Sequence, residues 1–216
     1  TNAYLLSRAH DAVTVLSKTT QIEAQVARIS KLLEALLLMV RLESREPIDQ
    51  SNVDLRALLE IECHKLKSIY ESRPQIVCTL VDTLPCARGD FGYLGFAFHA
   101  LLENAIRFTP DTGTITLKGK ESGANVWIEI CDEGIGISDD DLPHIFEVFW
   151  RRDDAHSTPG FGLGLPIAQR IIESHQGTLT VVSQLGKGTT CRVVLPAAQP
   201  RDSYSTLIQK PRSMPG

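Results

Sequence analysis

A carboxylate followed by two spaced glycines marks the segment CDEGIGIS, residues 131–138. The segment follows the apolar run VWIEI, which predicts a strand, so Asp132 stands where that strand ends. A carboxylate at such a position can accept a hydrogen bond from an exocyclic amine, such as N6 of adenine. Gly134 and Gly136 carry no Cβ and would let the backbone approach a flat ring closely. An ordinary Asp-Glu-Gly turn explains the same residues, and the segment alone leaves both interpretations open.

A second glycine-rich segment, GFGLGL at residues 160–165, directly precedes an apolar helix pattern. Glycines before a helix N-terminus leave backbone N–H groups free for a phosphate, and the helix dipole favours the anion. The polar stretch RRDDAHSTPG before it has the composition of a mobile lid, although a flexible loop and a simple helix start are equally consistent. No P-loop is present, because the chain contains no G-x-x-x-x-G-K-[ST]. A dinucleotide-binding fingerprint is also disfavoured, because βαβ repetition is absent.

A single amide side chain, Asn104, interrupts the apolar face of the helix pattern at residues 91–108. An amide oxygen can ligate Mg²⁺, which keeps several waters and bridges phosphate oxygens. Arg107 follows one turn later and could reach a phosphate. Because Arg107 also lies four residues after Glu103, a surface ion pair between these two side chains is the competing interpretation.

Two helices are predicted near the N-terminus, over residues 3–18 and 21–44, from their apolar periodicity. Their boundary depends on Thr20 and Glu23, which have the spacing of a capping box that starts a new helix. The two helices would form either a tight hairpin or one kinked rod. The second helix has apolar residues in 3-4-3-4 spacing, which predicts a homodimer through a four-helix bundle. This apolar seam comprises Val26, Ile29, Leu33, Leu36 and Val40.

The remainder of the chain has an α+β pattern, which begins after a polar linker at residues 43–54. Strands are predicted where apolar and polar residues alternate, and helices where the apolar period is 3.6 residues. The tail from Gln199 has no apolar period, so we expect it to be disordered or a linker. The predicted helices span 53–71, 91–108, 141–150 and 164–175, and the predicted strands span 75–81, 114–120, 125–132, 178–184 and 189–196.

The amino-acid composition of the chain disfavours several functional classes of protein. The 216 residues are 43% hydrophobic, which is enough for one core with a helical appendage. A net charge of −4 disfavours a broad nucleic-acid-binding surface. No apolar run approaches the roughly 20 residues of a membrane span, so we expect no membrane segment in this stretch. Five scattered cysteines without a C-x-x-C pair argue against a disulfide framework and against zinc.

Four short motifs and a closing turn occur in the order and spacing of a known family. HALLENAIRFTP is similar to an N box, DEGIG to a G1 box, IFEVFWR to an F box, GFGLGL to a G2 box, and GKGTT to the final glycine turn. Over residues 75–196 they resemble the catalytic ATP-binding domain of sensor histidine kinases, within the gyrase–Hsp90–MutL ATPase superfamily. The resemblance implies an α+β two-layer sandwich of a mixed five-stranded sheet and helices, the Bergerat ATP-binding fold. ATP would lie between the sheet and the lid, and a helical dimerisation hairpin would precede the domain.

The resemblance also implies roles for individual residues. It assigns adenine recognition to Asp132 and Mg²⁺ ligation to Asn104. An earlier asparagine of the N box is replaced by Ala100, so metal binding would be weaker or would rely on water. The other positions carried over are Gly134 and Gly136 at the adenine, Arg107 and Arg151 as phosphate contacts, Gly160, Gly162, Leu163 and Gly164 at the phosphate end, and Phe146 and Phe149 in packing at the base of the lid.

The segment HDAVTVL resembles the family's phosphoacceptor motif H-[DE]-x-x-T-P-L, with Val15 in place of the proline. A neutral imidazole of His10 would attack the γ-phosphorus, and Asp11 would accept the departing proton. The competing interpretation is that His10 is a solvent-facing residue on a bundle helix. His175 matches a structural position of the family that precedes a turn.

The function implied is an ATP-dependent protein histidine autokinase of a two-component system, using ATP and Mg²⁺. It would act as a homodimer and pass the phosphoryl group to an aspartate of a response regulator. The alternatives are a degenerate dimeric ATP-binding scaffold without phosphotransfer and an anti-sigma-type serine kinase. We expect a helical dimerisation and phosphoacceptor region over 1–46, a catalytic domain over 47–198 and a flexible tail over 199–216. The kinase would be cytoplasmic, whether or not its parent protein is anchored in the inner membrane.

Overall fold

A computed structural model describes residues 2–44, 51–70, 74–81, 84–152 and 161–198. The predicted tail at 199–216 therefore lies outside the described residues. The strands are β1 (Ser51–Val53), β2 (Gln75–Leu80), β3 (Ala87–Gly89), β4 (Thr114–Ser122), β5 (Asn125–Asp132), β6 (Thr178–Gln184) and β7 (Gly188–Pro196). The helices are α1 (Asn2–Glu43), α2 (Leu55–Ile69), α3 (Phe91–Phe108) and α4 (Gly164–Ser174).

The N-terminal region is one continuous helix, α1, so the expected hairpin is not formed. The predicted helix start at Thr20 is wrong, because the Thr20 hydroxyl donates a hydrogen bond to the Leu16 carbonyl oxygen at 3.0 Å. A threonine that bonds back to the preceding turn is a helix-interior residue and caps nothing. The stretch 2–43 also contains neither glycine nor proline, so nothing in it breaks a helix.

The main sheet has five strands in the order β2-β4-β5-β7-β6. β2 runs parallel to β4, and the remaining neighbours are antiparallel, so the sheet is mixed, as expected. Along β4 and β5, every second side chain points into the core, as a half-buried strand requires. These buried positions are Ile115, Leu117, Val126, Ile128 and Ile130.

Three helices cover one face of this sheet, and α3 packs between α2 and α4. Asp54 caps α2 by accepting from Ala57 N at 3.0 Å, and Asp90 caps α3 by accepting from Tyr93 N at 2.9 Å. The C-terminal part of α1 packs against α4, and its Ala35 joins the same core. The domain boundary expected between residues 46 and 47 stays a prediction.

Two local predictions need correction. Residues 51–53 were expected in a linker but form β1, which pairs antiparallel with β3 at 87–89. The helix predicted over 141–150 is only a 3₁₀ turn, Leu142–His144. The Ser138 hydroxyl accepts from Asp141 N at 3.2 Å in the turn that precedes this 3₁₀ helix.

His175 is a structural residue at the end of α4, as the resemblance implied, and its side chain is buried. Its Nδ1 donates to Ile171 O at 2.7 Å, and its Nε2 accepts from Asp90 N at 3.0 Å. Because Nε2 accepts a hydrogen bond, the ring is neutral, and burial lowers the pKa of His175.

In the described part of the chain, no helix is both long enough and apolar enough to cross a membrane.

Candidate nucleotide-binding site

Asp132 is the last residue of β5, and its carboxylate is held by the backbone of two different turns. Oδ1 accepts from Gly134 N at 2.9 Å and from Thr189 N at 3.1 Å. Partial burial raises the pKa of Asp132, while the two amide hydrogen bonds act in the opposite direction. Among the described residues, no donor is bonded to Oδ2, so this oxygen can accept from an amine.

The glycines of the G1 segment are required by the protein's own packing. A Cβ at Gly134 would lie 2.6 Å from the Phe108 carbonyl oxygen. Gly136 adopts a left-handed φ of 68°, and a Cβ there would collide with the Gln184 carbonyl oxygen. These glycines therefore seat the turn after Asp132 between α3 and the β6–β7 hairpin. Their predicted role beside a purine is an additional one.

The β6–β7 hairpin completes the surroundings of Asp132. Gly188, with φ 99°, lies so close to the Asp132 carbonyl oxygen that any Cβ would collide with it. The Ser183 hydroxyl donates to Gly188 O at 2.9 Å and accepts from Ile137 N at 2.8 Å. Thr189 is paired with Asp132 in the β5–β7 register. Sequence reasoning recognised the GKGTT turn but missed Thr189, because the register that places it opposite Asp132 is a long-range feature.

Asn104 lies half-buried on α3, facing the start of α4. A Cβ at Gly164 would be 3.9 Å from Asn104 Nδ2 and 3.7 Å from Ala100 Cβ. The fold thus brings the N box and the G2 box together, although they are 60 residues apart in sequence. Within the described ranges, the Asn104 amide makes no hydrogen bond to protein, which is the state expected of a group that serves a ligand.

The N-terminus of α4 has no side-chain cap. Leu163 occupies the N-cap position, but its side chain is only 5% exposed and anchors the loop in the core. Gly162 has φ 68°, and a Cβ there would lie 2.5 Å from Trp150 O. Phe149 N donates to Gly162 O at 3.1 Å, so this segment is tied to the F box. Within the described residues, a helix start that has no side-chain cap and begins with a glycine fits an anionic phosphate.

The two predicted arginine contacts have different outcomes. Arg107 Nη2 forms an ion pair with Glu103 Oε1 at 3.3 Å, the competing arrangement that the spacing allowed. The same Glu103 oxygen accepts from the Tyr70 hydroxyl at 3.2 Å. Arg151 is half-exposed and already engaged with other protein groups. A phosphate contact by either arginine stays a prediction, and Gly160 lies outside the described residues.

The F-box aromatics differ from each other. Phe146 packs against the core, whereas the side chain of Phe149 is 56% exposed. Their packing at the base of the lid stays a prediction, because residues 153–160 lie outside the described residues. The backbone of Phe149 has a left-handed φ of 68°, which forms the turn bonded to Gly162 and directs the ring away from the core.

The role of His10 as phosphoacceptor stays a prediction. His10 and Asp11 lie on α1, and their side chains are outside the described residues. Among the α1 side chains that the structure describes, Leu32 is the first that packs on the core. At 1.5 Å per residue, His10 is about 33 Å away from Leu32 along the helix.

A family comparison agrees with this geometry. Residues 89–199 match the model of the histidine kinase-, DNA gyrase B- and HSP90-like ATPases. The chain belongs to this family. The expected mixed-sheet ATP-binding domain, similar to that of the sensor histidine kinases, is thereby confirmed.

Named relatives and solved structures are sensor kinases. The sensor-like histidine kinase SenX3 of Mycolicibacterium smegmatis is 30% identical over 204 residues, covering 93% of this chain and 53% of the relative. The phosphate regulon sensor protein PhoR of Pseudomonas aeruginosa is 33% identical, covering 79% of this chain and 39% of the relative. The chain thus spans about half, or less, of the length of these relatives.

Two solved structures that are at least 25% identical in sequence share this fold. The mycobacterial sensor histidine kinase MprB has a TM-score of 0.60 and 25% identity, covering 68% of this chain and 97% of that one. Full-length ShkA in complex with AMPPNP has a TM-score of 0.67 and 27% identity, covering 78% and 35%.

Proposed function

We propose that this chain contains the ATP-binding and dimerisation parts of a two-component protein histidine kinase. The observation that carries the proposal is the Asp132 carboxylate. One of its oxygens is held by two backbone amides, and the other can accept from an amine. The amino group of adenine is such a donor, and membership of an ATPase family supports ATP as the nucleotide. Because it uses ATP, we place the kinase in the cytoplasm.

Asn104 is the proposed ligand of Mg²⁺. Its amide has no protein partner among the described residues, and it lies beside the uncapped start of α4. Within those residues, no three His, Cys, Asp or Glu side chains cluster as a metal site, so phosphate and water oxygens would complete the coordination. The ion would neutralise charge on the phosphates, the main requirement of phosphoryl transfer.

His10 is the proposed phosphoacceptor, and Asp11 the proposed proton acceptor. The imidazole nitrogen would form a bond to the γ-phosphorus as the bond to the ADP oxygen breaks. A receiver-domain aspartate of a response regulator would then take the phosphoryl group.

The partner proposed for α1 is a second copy of the same chain. The apolar seam predicted from the sequence is exposed: Val26 57%, Ile29 62%, Leu33 57%, Leu36 36% and Val40 63%. The same helix contributes Ala35 and Met39 to the core, so its two apolar faces serve different partners. Leu33→Glu should convert the dimer to a monomer in sedimentation, whereas the adjacent change Glu34→Lys, outside the seam, should not. Equal dimerisation of both variants would contradict this arrangement.

A second candidate is a dimeric nucleotide-binding scaffold without phosphotransfer. It is favoured by the uninterrupted α1, by Val15 in place of the motif's proline and by Ala100 in place of an N-box asparagine.

Incubation with γ-labelled ATP and Mg²⁺ distinguishes the candidates. The kinase predicts an acid-labile label on the chain that is lost in His10→Ala. A label that resists acid would indicate a serine kinase. Nucleotide binding without any label would indicate the scaffold. Asp11→Ala serves as a second variant, because it should slow labelling while leaving nucleotide affinity unchanged.

A further inference from the structure

Two cysteines from different elements face each other at the edge of the sheet. Cys63 lies on α2 and Cys78 on β2, and their Sγ atoms are 4.0 Å apart. Cys63 is buried, whereas Cys78 is exposed. β2 is an edge strand, bonded to β4 on one side only, which leaves Cys78 accessible to a small solute. This cysteine pair is separate from the candidate nucleotide site.

The spacing of the pair is held by contacts between the same two elements. Arg56, the second residue of α2, donates from Nη2 to Leu80 O at 3.0 Å and to Val81 O at 3.4 Å. These bonds attach α2 to the end of β2, so the helix and the edge strand cannot slide past each other without losing them. The two thiols are therefore held close enough that rotation of their side chains can bring the sulfur atoms together.

The charges around the pair favour reaction at Cys78. The hydrogen bond from the Cys63 thiol lowers the pKa of Cys78, and the positive charges of Lys67 and Arg56 act in the same direction. Burial of Cys78 and the charge of Glu60 oppose them without reversing the direction. The pKa of Cys63 is raised by its hydrogen bond to Cys78 and by burial. Cys78 is thus the exposed and more readily ionised thiol, and Cys63 is the buried thiol beside it.

We propose that Cys63 and Cys78 form a reversible disulfide when the protein meets a hydroperoxide. With hydrogen peroxide, the Cys78 thiolate attacks one oxygen, so that an S–O bond forms, the O–O bond breaks and hydroxide leaves, which takes up the proton that Cys78 released and becomes water. The Cys63 thiol then attacks the sulfur of the sulfenic acid at Cys78, so that the S–S bond forms, the S–O bond breaks and hydroxide leaves as a second water with the Cys63 proton. Two thiols lose two electrons in total, and hydrogen peroxide is reduced to two waters. The sulfurs must approach by about 2 Å to reach disulfide length.

The test uses the full chain, hydrogen peroxide and peptide mapping. We expect a peptide in which Cys63 is linked to Cys78, with the mass of two hydrogens lost, and its disappearance on reduction by dithiothreitol. Cys78→Ser should abolish the link, and Cys63→Ala should leave a sulfenic acid at Cys78 that dimedone traps. Cys86→Ser, a cysteine outside the pair, should not change the yield of the link.

Mapping of the unaltered chain makes the test independent of how well the variants fold. If both thiols remain fully alkylatable after peroxide treatment, or if Cys78 links to Cys86 as readily as to Cys63, the proposal is wrong. It is also wrong if Cys63 is oxidised faster than Cys78, because the order of attack would then be reversed.

Discussion

Replacing Asp132 by asparagine should separate recognition of the adenine amine from folding of the site. Oδ1 of Asp132 accepts from two backbone amides, and the Oδ1 of an asparagine can accept from both in the same way. Only the second oxygen changes, because it becomes an NH₂ group. A hydrogen-bond acceptor that faces the nucleotide is thereby replaced by a donor of nearly the same size.

The magnitude follows from this exchange. A hydrogen bond to a charged group contributes about 1.5–3 kcal/mol, and two donors left facing each other add a desolvation cost of similar size. A loss of about 3 kcal/mol in binding is therefore a conservative expectation, and at 1.4 kcal/mol per factor of ten the dissociation constant for ATP should rise roughly 100-fold. Because burial raises the pKa of Asp132, its ionised form costs stability at neutral pH. The neutral asparagine removes that cost, so the variant should melt no lower than the unaltered chain.

Isothermal titration calorimetry with ATP and thermal melting together test this reasoning. Glu133→Gln is the matched control, because Glu133 is the next carboxylate and Oε2 of Glu133 accepts from Thr114 N at 2.9 Å on the exposed side. The control should bind ATP as the unaltered chain does. An affinity of Asp132→Asn within threefold of the control would remove Asp132 from adenine recognition. A large fall in melting temperature would instead show that the carboxylate is chiefly structural.

Three further changes test the packing, the buried histidine and the metal ligand. Gly136→Ala should lower the free energy of unfolding by about 3 kcal/mol, from left-handed strain and a clash with the hairpin, whereas Gly123→Ala, with a similar φ and open space around it, should cost only about 1 kcal/mol in urea denaturation. Because the folded state lowers the pKa of His175, the stabilisation should be complete above about pH 6.5 and should fall as the pH drops below it. His175→Gln should make the midpoints of urea denaturation less dependent on pH in that range. An unchanged dependence of the midpoint on pH would contradict the assignment. Asn104→Ala should weaken ATP binding in Mg²⁺ but not in EDTA, and an equal loss in both would exclude it as a metal ligand.

The elements predicted best are those whose signals are local. The helix predicted over residues 91–108 has those bounds in the structure, because its apolar period is continuous and Asp90 caps its first turn. The strand predicted over 125–132 is found with the same bounds, because its alternation is regular and a turn precedes it. Such patterns are decided by neighbours a few residues apart.

The predictions that were wrong or missing concern features that no local sequence signal decides. Thr20 and Glu23 have the spacing of a helix start, but these residues also fit inside a helix. No helix-breaking glycine or proline accompanies them. β1 and β3 are three residues each and pair with each other, 36 residues apart, so no local pattern marks either strand. In the candidate site, Asp132 could be predicted from its motif. Thr189 opposite it could not, because strand register depends on pairing between residues that are far apart in the sequence.

The glycines of the candidate site serve the fold before they serve a ligand. Gly134, Gly136 and Gly188 each lie so close to protein backbone that a Cβ would collide with it, and each of these contacts involves the turn or the hairpin around Asp132. A variant at any of these positions would displace the carboxylate and reduce nucleotide binding without having touched the nucleotide. Loss of binding on glycine substitution therefore cannot identify a purine contact here. Only changes that keep the backbone in place, at Asp132 and Asn104, can separate recognition of the ligand from the architecture that presents it.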